Sequence, residues 1–548
     1  MNILITLGGI VIFLIILGII IAVHEGGHFL FAKRAGILAR EFAFGMGPVL
    51  WKKKKGETTY AVRAFPIGGF VAIAGEELED DPFAEQKNVK LEIIDGLVHN
   101  IYFDVVDTDE DVYEVLEYDV FDKEETGKLY LKVLKDGVEE VLSVSPVAMV
   151  HLRKLEYQIA PYNRTIGSKS KRARALVMFG GPLMNFLLAF LVFFVASLIS
   201  GHPNTSITTF NTYESSQAYM AGLRDGDTIT FLESSTGSTL LTVDDAKEWK
   251  DISSFMEKYK ADNLTGEIEV KVDRGGQELS FFVTPSLSIN NLALEVIVVD
   301  EGLKVINFTE ADDELIYNKS FVSHYSEDMD LIITKFRYNG DDYLATNIKE
   351  VYKLFEEDYI GKSKTEELNK VEISFTIGGE EKTAKVVPYN KEVMNYLSKR
   401  NGISPIKIAI GISPLTKFSL GKSFIAMFTN TLNSGLAVFS TLGMLFRGGV
   451  GLRSLSGFVG IASETVRVTR LGFVSILTWT GLLSVNIGLL NLLPIPALDG
   501  GRLVFLGYEA ITKRKPSQKV ETILIVATMF LLFGLMIFVT FNDIIKLF

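Results

Sequence analysis

His24-Glu25-Gly26-Gly27-His28 carries two imidazoles and a carboxylate at the end of an uncharged run from Ile3 to Val23. On a helix the H-E-x-x-H spacing sets both histidines on one face, four residues apart, with the glutamate beside them. These are the groups with which a zinc hydrolase holds its metal and its base. The setting sharpens the reading. A run of about 20 apolar residues is long enough to cross a bilayer, and ionisable side chains carried to that depth are costly unless they serve a function. With only 6 histidines among 548 residues, this spacing is poorly explained by chance. Two interfacial histidines at a helix end are the plain structural alternative.

Zinc needs a further protein ligand and an open position for water. The segment Asn491-Leu492-Leu493-Pro494-Ile495-Pro496-Ala497-Leu498-Asp499-Gly500-Gly501-Arg502 offers one, at the end of another apolar run from Gly472 to Leu493. Pro494 and Pro496 remove amide donors and break the helix. Irregular backbone at membrane depth is tolerated where it is buried in protein or lines a wet cavity. Asp499 is the first charge after Gly472. It either completes a cation site with the histidines or caps a helix over 501–511; the histidine pair favours the ligand.

Together, H-E-x-x-H in a first span and N-x-x-P-x-P-x-L-D-G in a late span resemble the site-2 protease family of intramembrane metalloproteases, in particular its bacterial regulator-of-sigma-E branch with PDZ domains. Phe44-Gly45-Met46-Gly47-Pro48 and Phe65-Pro66-Ile67-Gly68-Gly69-Phe70 resemble that branch's membrane-associated β-hairpin loop, and Gly180-Gly181-Pro182-Leu183-Met184-Asn185-Phe186 the start of its second span. The resemblance covers roughly half to two thirds of the chain. It implies that His24, His28 and Asp499 bind Zn2+, that Glu25 is the catalytic base, and that Asn486 contacts the substrate backbone. The implied substrates are membrane-anchored proteins with a single span, of the anti-sigma-factor kind, or remnant signal peptides.

Composition agrees with a multi-pass α-helical membrane protein carrying β-rich extramembrane domains. Hydrophobic residues make up 48% of the chain, and the mean hydropathy of +0.25 is high for a wholly soluble protein. Four transmembrane helices are expected, at about 3–24, 174–200, 472–493 and 520–541. The net charge of −12 resides in the soluble stretches, which speaks against nucleic acid as a partner. There is no cysteine, so disulfides and thiolate metal sites are excluded. Basic clusters flank the spans: Lys33, Arg34 and Lys52 to Lys55, then Lys169, Lys171, Arg172 and Arg174, then Lys513, Arg514, Lys515 and Lys519. The positive-inside rule puts all three in the cytoplasm. Both termini and the 201–418 region are then extracytoplasmic in the cell membrane, with the metal motif near the cytoplasmic side. The first run lacks a small-residue cleavage pattern and reads as a retained helix.

The expected organisation is a first span with its metal motif and β-hairpin over 1–82, a cytoplasmic β-rich insertion over 83–160, and a second span within 161–200. A PDZ-like domain follows over 201–285, signalled by Ala221-Gly222-Leu223-Arg224-Asp225-Gly226-Asp227 and by alternating strands at Glu267–Val272 and Leu279–Thr284. Such domains capture an extended peptide on a sheet edge. A second, degenerate copy is expected over 286–418, although its A-G-L-x-x-G-D turn is not readable. An interfacial or re-entrant helix follows over 419–471, then the last two spans over 472–548. For 83–160 a tolerated loop insertion is the simpler expectation, despite strand-like alternation and the turn Lys135-Asp136-Gly137. Two other functional classes stay open. A catalytically inactive PDZ-bearing scaffold would have no need of intact His24, Glu25, His28 and Asp499; a metal-ion transporter is disfavoured by four spans and a large peptide-binding region.

Overall fold

The computed structural model describes residues 3–75, 83, 86–103, 112–122, 128–152, 155–308, 330–359, 370–389, 394, 404–447 and 455–547. The longer helices, in chain order, are α1 (Ile3–Arg34), α2 (Lys171–Ser200), α3 (Trp249–Ala261), α4 (Leu420–Phe446), α5 (Phe458–Arg470), α6 (Phe473–Asn491), α7 (Asp499–Thr512) and α8 (Gln518–Leu547). Four of them, α1, α2, α6 and α8, are long and apolar enough to cross a membrane. The chain forms two compact units, Met1–Ala196 with Phe458–Thr540, and Ser197–Gly457 with Phe541–Phe548.

In the first unit α1 does not stop at the metal motif but runs on to Arg34, so the histidines sit well inside a continuous helix. α5 crosses α1: Gly9 leaves room for Val466, and the Phe13 and Phe458 rings meet edge to face at 4.9 Å. Trp479 of α6 donates its indole N–H to the hydroxyl of Thr465 in α5 (2.9 Å). This is the polar bonding by which helices lacking a hydrophobic driving force are fastened in lipid.

After α1 come two long strands, Ala39–Lys55 and Thr58–Ile73. Residues 41–44 partner 72–69 on one side and 59–62 on the other, while 52–55 partner 61–58. One hairpin is thereby folded back into a four-stranded sheet. Glu57, at its turn, is held by Lys33 and by Arg164 (2.7 Å), which ties the turn to the end of α1.

The 83–160 stretch is more than a loop. Strands Asn88–Ile94, Leu97–Tyr102, Val112–Asp119, Tyr130–Lys135, Val138–Leu152 and Leu155–Gln158 form one sheet, and Leu97–Tyr102 also pairs in parallel with Val138–Leu152. That second pairing closes the sheet into a barrel. Its interior holds Val89, Val98, Ile101, Phe103, Leu131, Val133 and Val150. Alternating strands have one face to bury, and closing the sheet is how a domain this small buries it.

The second unit contains a structural repeat. Strands Thr228–Thr236 and Thr239–Val243, helix α3, then strands Ile268–Arg274 and Gln277–Val283 form a four-stranded sheet with its helix. The same order recurs as Leu331–Tyr338, Asp341–Leu344, a helix Ile348–Tyr352 extended by the π-helical turn Lys353–Asp358, then Val371–Ile377 and Glu380–Val386. Details repeat as well. Thr230 and Thr334 lie at matching irregularities in the strand register, and their hydroxyls donate to the carbonyls of Lys271 and Ser374, each at 3.2 Å. The final hairpins turn on Gly275-Gly276 and Gly378-Gly379, all at positive φ, as a two-residue hairpin turn requires.

The boundary expected at 285/286 needs correction. Strand Ile412–Pro414 pairs with Phe210–Thr212, the amide of Ala218 donates to Ile410, and Ile410 is buried in the first module's core. The second module is therefore inserted into the first, which is completed only by residues after 405. The sequence hid this because the closing strand is short and lies about 200 residues from its partner. In the second module, the place for an A-G-L-x-x-G-D turn before Leu331 falls in 309–329, outside the described residues.

Within 419–471, α4 is one unbroken helix. Its buried positions are the small or polar Ser423, Thr431, Ser434 and Ala437. Phe424, Ile425, Phe428, Leu432, Leu436 and Phe439 are exposed. That is the reverse of a water-soluble amphipathic helix.

Candidate metal centre

His24 Nε2, His28 Nε2 and one carboxylate oxygen of Asp499 converge within the first unit. The oxygen Asp499 Oδ2 lies 3.2 Å from His24 Nε2 and 3.4 Å from His28 Nε2, and the two nitrogens are 3.3 Å apart. A tetrahedron around zinc with bonds of about 2.0–2.1 Å has edges of about 3.3–3.4 Å, so these atoms already stand at the spacing of three vertices. Two imidazoles and a carboxylate are also a donor set that suits zinc. Among the described residues this is the one group of three such side chains able to hold a metal ion.

Each of the three side chains is set by a local backbone device. The histidines are one turn apart on α1 and present the same face. Asp499 begins α7, directly after the break at Pro494 and Pro496. Gly500 and Gly501 let α7 start close against the turn before it, since a Cβ at Gly500 would lie within 3 Å of the Leu492 and Leu493 carbonyls. The helix-start and ligand readings of Asp499 are thus compatible: it occupies the first turn of α7 and directs its carboxylate at the histidines. At the other end of α7, Glu509 pairs with Arg174 (2.8 Å), and Lys171 donates to its carbonyl (2.9 Å).

The remaining supports come from α2. A Cβ on Gly181 would lie 2.7 Å from His24 Nε2 and closer still to His28 Nε2. Only a glycine leaves that face of the site open. His28 Nδ1 donates to the carbonyl of Val177 (2.8 Å). Pro182, inside α2, lacks the amide that would bond the Met178 carbonyl and so loosens the turn that offers these acceptors. Asn185, fully buried, lies 3.2 Å from His24 Nδ1. None of these α2 roles was read from the sequence, although Gly181 and Asn185 stand in the Gly180–Phe186 segment. The available signal was a lone amide in an otherwise apolar span.

Glu25 is half-buried beside the cluster. A Cβ on Gly69 would come within 3.2 Å of Glu25 Cγ and 2.9 Å of Ile21 Cγ2, so the later part of the strand Thr58–Ile73, from Phe65 on, runs directly past the glutamate. Asn491 Nδ2 is 3.5 Å from His24 Nε2. Asn486 is on α6, about two turns before the break, and its side-chain oxygen is buried without a hydrogen-bond partner.

Comparison with known proteins agrees with this geometry. The model of peptidase family M50 matches residues 12–535. Zinc metalloprotease RasP of Oceanobacillus iheyensis is 29% identical, covering 98% of this chain and 99% of its own length. Zinc metalloprotease RasP of Shouchella clausii is 28% identical, covering 98% of each. Regulator of sigma-W protease RasP of Bacillus subtilis is 29% identical, covering 98% of this chain and 99% of its own. The chain belongs to peptidase family M50, the site-2 proteases, and is a zinc metalloprotease of that type.

Proposed function

We propose that this protein is an intramembrane endopeptidase that hydrolyses peptide bonds within the membrane-spanning segments of other proteins. The observation that carries the reading is the convergence of three side chains beside Glu25: His24 and His28, on a helix long and apolar enough to cross a bilayer, and Asp499, at the start of α7. His24 Nε2, His28 Nε2 and Asp499 Oδ2 hold zinc. When bound, the ion polarises the scissile carbonyl and acidifies the attacking water. Glu25 accepts the proton of that water and passes it to the leaving nitrogen. A spanning helix hides its amides in its own hydrogen bonds, so the substrate is cut as an extended strand. The edge of Phe65–Ile73 offers main-chain partners for that strand next to Glu25, and the unpartnered oxygen of Asn486 accepts from a substrate amide.

The basic residues flanking the spans favour extracytoplasmic termini and modules, with the centre near the cytoplasmic side of the cell membrane. The apolar outer face of α4 then rests in lipid, as an interfacial or re-entrant element. The two modules act as PDZ-like domains that admit substrates by their trimmed ends. The substrates are single-span proteins of the membrane-anchored anti-sigma-factor class, in keeping with a relative named for regulating sigma-W, or signal-peptide remnants.

The test is cleavage of a single-span model substrate by purified protein in detergent, comparing wild type with Glu25→Gln while zinc content is measured in both. Loss of a general base costs on the order of 10²–10⁴ in rate, and a chelator abolishes what the wild type does. Equal cleavage by both variants removes Glu25 from the mechanism. Zinc bound by both with no cleavage of any tested span favours the inactive scaffold.

A further inference from the structure

The two histidines are supported from behind by the same helix, but in different ways. His28 is fixed through a main-chain carbonyl: its Nδ1 donates to Val177 O at 2.8 Å. Its Nε2 therefore carries the lone pair and faces Asp499. For His24 the counterpart is a side chain. Asn185 is two helical turns beyond Val177 on the same face of α2, is fully buried, and stands 3.2 Å from His24 Nδ1. Its own main chain is pinned, because the Ser484 hydroxyl donates to the Asn185 carbonyl at 2.8 Å. Gly488 keeps α6 close enough to fix the side chain's root, a Cβ there lying 3.2 Å from Asn185 Cβ.

In this structure it is Asn185 Nδ2 that faces His24 Nδ1, and Oδ1 is buried without a partner. A histidine that binds metal through Nε2 carries its proton on Nδ1, and two N–H groups cannot bond to each other. The two ends of an amide have the same shape, and hydrogen-bonding chemistry decides which end faces a neighbour. We propose that Asn185 is a positioning residue of the metal centre: its Oδ1 accepts a hydrogen bond from His24 Nδ1–H, holding His24 in the tautomer and ring orientation that present Nε2 to the ion. This rests on the metal-centre reading above. Asn185 acts on the ion only through His24, the part that outer-shell carboxylates and carbonyls play behind metal-binding histidines.

The experiment titrates Co2+ into chelator-treated full-length protein in detergent. It reads the visible absorption of tetrahedral cobalt, followed by competition with Zn2+, for the wild type and three variants. Asn185→Leu, which keeps the volume and removes the acceptor, binds about 10–100-fold more weakly. Asn185→Ala, smaller and also without an acceptor, weakens binding within the same range and covers the case in which leucine does not fold. Asn185→Asp, which restores an acceptor, binds as tightly as the wild type or more so. Leucine and alanine variants with native affinity and spectrum overturn the proposal. So does an aspartate variant that binds as weakly as they do, because that result assigns Asn185 to packing. A wild type that takes up no cobalt overturns the metal-centre reading itself, which separates the two failures.

Discussion

The candidate metal centre and the two modules of the second unit are held together by opposite means. Around the centre, helices meet through the absence of side chains. A Cβ on Gly180 would lie 2.8 Å from the Gly27 carbonyl, and one on Gly181 would enter the space of both imidazoles. The modules meet through bulk: Phe336, Phe355 and Phe375 fill one core and Phe210 and Phe255 the other, each almost wholly buried. Helices surrounded by lipid gain little by hiding apolar surface from it, so they associate through close backbone approach and a few polar bonds. Domains in water are held by the apolar surface they remove from it. A methyl group is thus an obstacle in one region and an asset in the other.

Adding one methyl at the centre is the most severe test of this contrast. Gly181→Ala is expected to abolish both Co2+ uptake and cleavage, at least a 100-fold loss, with helical content by circular dichroism unchanged. Native metal affinity in this variant would show that the helices can part freely, and the contrast would fail.

Removing bulk from a module comes next. Phe336→Ala is expected to cost about 3–5 kcal/mol, seen as proteolytic nicking of the second module under conditions where the wild type is intact. Metal affinity should be unchanged, since no ligand lies in that module. A fall in metal affinity would join the regions that the comparison separates.

The smallest effect sharpens the comparison within the modules. Burial pushes the Asp227 carboxyl up, but the Arg274 guanidinium (2.6 and 2.7 Å) and the Arg224 amide outweigh it and hold the pKa below the usual carboxylate range. A depressed pKa contributes stability that is present above the unfolded value near 4 and is lost as pH falls through the folded value. Asp227→Asn is therefore expected to destabilise the first module by about 1–3 kcal/mol at pH 7, with the gap from wild type closing below about pH 4. Thermal unfolding followed across that range reads it. A gap that stays constant down to pH 2 would remove the ion pair from the account.

The side chains that converge at the candidate site were legible in the sequence because they stand in short, local patterns. His24, Glu25 and His28 share one helical turn, and Asp499 is announced by two prolines and the first charge after a long apolar run. Supports acting across elements left fainter marks. Nothing local to Gly181 says that it faces His24, and Asn185 is an isolated amide whose partner lies 161 residues earlier. The 83–160 stretch showed its alternation but not its closure, because closure depends on a parallel pairing between residues some 46 positions apart. The repeat in the second unit resides in register and bulge positions, which survive where the side chains have changed.

The insertion of one module into another also orders events in time. A ribosome delivers the first module's opening strands, then the whole of the second module, and only afterwards Ile412–Pro414, which closes the first. Chains fold as they emerge, a unit at a time, so the module begun first is finished last. Until then the strand Phe210–Thr212 lacks its partner and the core lacks Ile410. The first module's core therefore closes only after most of the unit has been synthesised.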